Sequence, residues 1–130
     1  MPLLRFDLIE GRSETELKAL LDAAHRAMLG AFKVPVRDRY QVVTQHKPGT
    51  LIVEDTGLGI ERTEKVVLVQ VLTRPRGRAA KEQFYRLLVE ELDRSCNIAP
   101  SDVMVSIVEN TDEDWSFGNG RAQFLTGELR

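Results

Sequence analysis

Histidine and cysteine are scarce in this chain: two His and one Cys in 130 residues. Cys96 alone excludes an intrachain disulfide, and without His or Cys neighbours it excludes a cysteine-based metal site. No run of about 18 apolar residues is present, nor a basic segment leading into an apolar one, so the expectation is a cytoplasmic protein. Acidic and basic residues nearly cancel, 20 against 18, leaving a net charge of −2. Such a chain has no long-range field to gather nucleic acid or an anionic membrane. P-loop, dinucleotide and metal-ligand spacings are missing as well. What is there, 42% apolar and 29% charged residues, fits one globular domain over 1–130.

The first strand spans Pro2 to Ile9, with Leu4, Phe6 and Leu8 alternating against Leu3, Arg5 and Asp7. Ser13-Glu14-Thr15-Glu16 carries the S-x-x-E capping pattern, in which hydroxyl and carboxylate satisfy the first free N–H groups of a helix. Leu17, Leu20, Leu21, Ala24, Met28 and Phe32 follow as its 3.6-residue stripe, and Val34-Pro35 closes it. A second strand is predicted over Asp38–Thr44, then a loop-rich connector with one short strand at Thr50–Val53. Val66–Leu72 is the third strand, Arg78–Cys96 the second helix and Asp102–Glu109 the fourth strand.

The two halves align without a gap at an offset of 64: Leu4 meets Leu68, Leu20 meets Phe84, Ala24 meets Leu88, Met28 meets Leu92 and Asp38 meets Asp102. A duplicated βαβ unit is the reading, with pseudo-repeats 2–64 and 66–109, right-handed crossovers and a tail over 110–130. The fold class is α/β (α+β): a four-stranded mixed sheet with two helices on one face. Pseudo-two-fold symmetry puts the two first strands antiparallel at its centre, and so sets Pro2 beside Arg74. Two helices cover only one face, yet the third strand is apolar at both parities, Val67, Val69 and Val71 against Val66, Leu68 and Leu72. Burial of both faces is therefore expected, through association with further copies.

Three stretches could carry chemistry. Methionine removal before a small residue would expose Pro2 as a rigid secondary amine, and an α-amine titrates near pH 8. Arg74-Pro75-Arg76 places two guanidinium groups where they can converge on one carboxylate; taken alone they are also a solvated turn. Asp38, in the basic run Arg37-Asp38-Arg39, either orients a water or amine or caps a loop as Asp102 would. His25 lies on the flank of the helix stripe, where packing is its expected role. His46 falls in a loop without partners at a recognisable spacing. Cys96 matches Phe32 in the repeat and reads as a buried apolar thiol. Trp115, Phe117 and Phe124 are either packing residues or an apolar wall, with Ala122–Leu125 a short possible strand.

Met1-Pro2 before a strand, the repeated βαβ, Arg74-Pro75-Arg76 and the tail Asp114-Trp115-Ser116-Phe117-Gly118 together resemble the tautomerase superfamily. The resemblance is closest to its malonate semialdehyde decarboxylase branch and covers essentially the whole chain. It implies a homotrimer whose sheets wrap into a central barrel, no cofactor, and active sites near subunit contacts. Carried onto this chain, Pro2 is the catalytic amine, Arg74 and Arg76 hold a carboxylate, and Asp38 is the polar partner of the amine. Trp115, Phe117, Phe124 and Leu129 line the pocket. The expected substrate is a small oxo acid: malonate semialdehyde, decarboxylated to acetaldehyde and carbon dioxide. Keto–enol tautomerisation of the phenylpyruvate type, hydration or dehalogenation of a small unsaturated acid, and a cytokine-like trimeric interaction protein are the alternatives.

Overall fold

The structure, a computed structural model, describes residues 1–129. Seven regular elements follow one another: β1 (Leu3–Ile9), α1 (Glu14–Phe32), β2 (Tyr40–His46), β3 (Val67–Thr73), α2 (Arg78–Cys96), β4 (Val103–Glu109) and α3 (Gln123–Thr126). Single 3₁₀ turns at Pro100–Asp102 and Asp112–Asp114 flank β4. The strands form one sheet in the order β2-β1-β3-β4. β1 pairs in parallel with β2, β3 in parallel with β4, and the two central strands run antiparallel.

Helix α1 starts where the capping pattern places it. The Ser13 side chain accepts from the Glu16 N–H, and the Glu16 carboxylate accepts from the Ser13 N–H. It ends at Lys33, which adopts a left-handed conformation and donates to the Leu29 carbonyl. Both helices cover the sheet face bearing Leu4, Phe6, Leu8, Val67, Val69 and Val71. The inner stripe of α1 is rich in alanine (Ala23, Ala24, Ala27, Ala31), which lets α2 bring Phe84, Leu88 and Leu92 close. At Gly30 a methyl group would lie 3.1 Å from Leu87 Cδ1. Phe32 and Phe84 stack at 5.2 Å between the two helices.

Three sequence expectations are corrected here. Thr50–Val53 forms no strand: Thr50 closes a turn onto Lys47, and the connector is ordered by the Asp55 carboxylate accepting from Gly57, Gly59 and Ile60 N–H groups. Ala122–Leu125 is not extended; Leu125 and Thr126 donate back to the Ala122 carbonyl and the segment is helical. Asp38 precedes β2 instead of opening it, because its N–H is committed to the Pro35 carbonyl in a turn. Within a single chain the helices bury only one face of β3, the arrangement from which association with further copies is expected: Leu68 and Leu72 are half-buried and Gln70 is exposed. That open face continues through Val42, Met104 and Val108. No helix among the described residues is long and apolar enough to cross a membrane.

Candidate active site

The antiparallel register of β1 and β3 sets Leu3 opposite Leu72. Continuing it one and two residues puts Pro2 beside Thr73 and Met1 beside Arg74. The chain start and the Arg74-Pro75-Arg76 turn therefore share one end of the sheet. Gly77 ends that turn at φ 78°, ψ 154° and is also the N-cap of α2. Only glycine adopts this backbone without strain.

Each arginine is held by a group of its own. Arg76 donates through Nε to Thr73 Oγ1 at 2.9 Å, and its backbone N–H donates to Glu109 Oε2 at 3.0 Å. Lys81 holds that same Glu109 oxygen at 3.0 Å. The guanidinium of Arg76 lies 5.2 Å over the Phe32 ring. Arg74 donates through Nε to Asp112 Oδ1 at 2.7 Å and lies 4.1 Å over Phe124. Thr73, fully buried, and Asp112 escaped sequence reasoning. A threonine ending an apolar strand and an aspartate opening the tail were the available signals.

Electrostatics tie the amine to these groups. The Met1 α-amine is pushed down from 8.0 to about 6, chiefly by burial, then by Arg76; Asp38 opposes this, Arg74 adds to it, and Asp112 opposes. Burial pushes the Asp38 carboxyl up, against the pull of the terminal ammonium, Arg76 and His25. Asp38 is 8% exposed, and its Oδ2 has no hydrogen-bond partner within the chain. The repeat position does not predict its setting. Asp102 is more deeply buried and accepts from the Thr63 N–H at 2.7 Å and from the Thr63 hydroxyl, so it is a structural brace where Asp38 is not.

The tail supplies an aromatic wall. Trp115 stacks on Phe117 at 5.5 Å, Phe117 meets Phe124 edge-on at 5.5 Å, and Tyr40 leans on Phe117 at 5.7 Å. Trp115 Nε1 donates to Asn110 Oδ1 at 2.7 Å, and the Phe117 N–H donates to Gln123 Oε1 at 2.9 Å. A cavity of about 190 Å³ opens between this wall and the amine, lined by Met1, Pro35, Arg37, Asp38, Tyr40, Phe117 and Leu129. Asp38, Phe117 and Leu129 thus line it directly. Trp115 and Phe124 contact Phe117, and Phe124 also carries the Arg74 guanidinium. Pro2 is buried one residue behind Met1. Tyr40 and Arg37 were not singled out by sequence.

A roomier cleft of about 250 Å³ lies at the opposite sheet end, between Arg12, Glu16, Lys65 and Cys96. Two of its polar side chains are already engaged: Arg12 Nη2 donates to the Lys65 carbonyl at 2.8 Å and Glu16 caps α1. Cys96 is half-buried rather than buried, with its thiol pushed up by burial, so it is no ready nucleophile. His46 ends β2 instead of lying in a loop, and its Nε2 lies 2.7 Å from Asp7 Oδ1. Among the described residues no group of three acidic, His or Cys side chains could hold a metal.

Two family models, both described as "Tautomerase enzyme", match residues 38–118 and 2–60. "Probable tautomerase YrdN" of Bacillus subtilis (strain 168) is 56% identical over 129 residues, covering 99% of this chain and all of the relative. A malonate semialdehyde decarboxylase, solved in wild-type, mutant and inactivated forms to explain its decarboxylase and hydratase activities, superposes with a TM-score of 0.97. It is 57% identical and covers 98% of this chain and 99% of its own. A more distant protein, fused 4-OT in a symmetric trimer, shares the fold at a TM-score of 0.78 and 21% identity, covering 96% and 98%. The chain belongs to the tautomerase superfamily, in its malonate semialdehyde decarboxylase-like branch.

Proposed function

We propose that this protein decarboxylates a 3-oxo acid, malonate semialdehyde, to acetaldehyde and carbon dioxide, with the amine of Pro2 as its working group and no cofactor. The observation that carries the reading is convergence: chain start, paired arginines, Asp38 and an aromatic wall meet at one sheet end. Removal of Met1 leaves Pro2 as the terminus, and its amine lies about 3.8 Å further along β1, at a buried position. Arg74 and Arg76 hold the carboxylate with its C–C bond turned out of the carbonyl plane. The amine meets the carbonyl, either as an ammonium donating to its oxygen or as a nucleophile forming an iminium. The bond between carboxylate carbon and C2 breaks, its electron pair forms an enol or enamine, and carbon dioxide leaves. Protonation at C2, with hydrolysis of the iminium on the covalent route, gives acetaldehyde. The protein works as a homotrimer, a reading supported by the open apolar sheet face.

One observation favours a second reading, keto–enol tautomerisation of an oxo acid such as phenylpyruvate. In the chain that retains Met1, burial, Arg76 and Arg74 push the α-amine at this sheet end down, and a Pro2 amine kept neutral by the same surroundings acts as a base. The test is proton NMR of Met-free protein mixed with malonate semialdehyde. Acetaldehyde should form, and Pro2→Ala should slow it about 100-fold or more. If protein whose mass proves a free Pro2 yields no acetaldehyde but ketonises enol-phenylpyruvate, the second reading replaces the first.

A further inference from the structure

We propose that His25 is a positioning residue for Asp38, clamping the Pro35–Asp38 turn onto helix α1 so that the carboxylate stays aimed at the N-terminal amine. His25 is on the buried side of α1, 6% exposed. Its Nε2 lies 2.8 Å from the Val36 carbonyl oxygen. A carbonyl only accepts, so Nε2 carries the hydrogen, and in the neutral ring Nδ1 is the bare acceptor. Two residues on stands Asp38, whose own N–H donates to the Pro35 carbonyl at 2.9 Å. The turn is thereby fixed twice, once internally and once to the helix.

Packing alone does not account for an imidazole here. A leucine would fill an inner helix position without desolvating two ring nitrogens. Among the described residues, the buried side-chain polar atoms without a hydrogen-bond partner are two: His25 Nδ1 and Asp38 Oδ2. Leaving such atoms unpaired costs stability, and both belong to this one turn and its anchor. The groups acting on the Asp38 carboxylate are the terminal amine, Arg76 and His25 itself. His25 is the one of these three outside the pocket lining and the arginine turn. It acts on the amine through Asp38, having no place in the cavity wall.

The inference rests on Pro2 being the working amine. Its readout is the ¹⁵N NMR titration of Pro2 in Met-free protein, not turnover, so a failed decarboxylation assay leaves it standing and an unmoved titration leaves decarboxylation standing. His25→Leu removes the donor. The Pro2 titration should move down by roughly half a unit or more, in the same direction as in Asp38→Asn. The double variant should move no further than Asp38→Asn alone, and His25→Gln, which keeps an N–H donor, should restore most of the wild-type value. A structural role alone would lower the melting temperature and leave the titration in place. Should His25→Leu fail to fold, coupling read in reverse decides: the His25 ring nitrogen shifts must change in Asp38→Asn. An unmoved Pro2 titration in folded His25→Leu, additive shifts in the double variant, or unchanged His25 shifts in Asp38→Asn would each overturn the proposal.

Discussion

Opposed fields meet at the chain start. Burial first, then Arg76 and Arg74, push the amine toward its neutral form, while Asp38 and Asp112 pull it toward the cation. Asp38→Asn removes one of the two counterweights, so the Pro2 titration should fall. An unchanged ¹⁵N titration would remove Asp38 from the role of amine partner. In protein that retains Met1 the same fields have a stability signature. The unfolded amine binds its proton up to about pH 8, the folded one only up to about 6. The unfolded state thus holds more protons between those values, and stability contributed by this group should rise as pH goes from 6 to 8. Urea unfolding at both pH values, compared with an N-terminally acetylated chain, isolates it: acetylation should abolish that share of the difference. An equal pH dependence in both proteins would show that the amine is not desolvated.

At the scale of elements, the arginine turn depends on one glycine. Gly77 combines φ 78° with the N-cap position of α2, a backbone that costs a residue with a side chain about 1–3 kcal/mol. Gly77→Ala should therefore lower stability by about that amount in urea unfolding and, by tilting Arg76, raise KM for the proposed oxo-acid substrate more than it lowers kcat. A variant with unchanged stability and KM would show that the turn tolerates a side chain. The elements most visible in the sequence were those announced by local chemistry. The Ser13–Glu16 capping box and the stripes of α1 and α2 are local patterns, and both helices span the expected residues, closing before Lys33 and Asn97. Misreadings came where distant partners decide. Thr50–Val53 has strand-forming residues but no neighbouring strand to pair with. Ala122–Leu125 bends into a helix whose Phe124 packs beneath Arg74. The amine and the arginines stood out through their residue types and the register of β1 on β3, whereas Asp38 was open to a loop-cap reading until the family resemblance suggested its role. Thr73, Asp112 and Tyr40 did not, because their roles consist of contacts 3 to 77 residues away.

The whole molecule carries an asymmetry that one chain does not resolve. One sheet face is sealed by two helices, while the other presents Leu3, Val42, Leu68, Leu72, Met104 and Val108 around a polar centre of Arg5, Asp7 and Gln70. Exposed apolar faces of that breadth mark contacts with other proteins. The proposed trimer covers it with copies of itself, and the site at the end of the same sheet would then lie near a subunit contact. Leu68 is the sharpest probe. It is half-buried on a central strand, opposite Met104 and Asp7, and its side chain points away from the helical layer. Leu68→Asp would force a second carboxylate into the covered face, beside Asp7, where burial and like charge both oppose it. Sedimentation equilibrium should then give the mass of one chain in place of three, with a lowered melting temperature, since assembly stabilises the folded state by mass action. Restoration at Met104→Lys, paired across β3 and β4 with the new carboxylate, would tie the effect to this face. A Leu68→Asp protein that sediments as wild type, at equal melting temperature, would place the subunit contacts elsewhere and leave the open face to another partner.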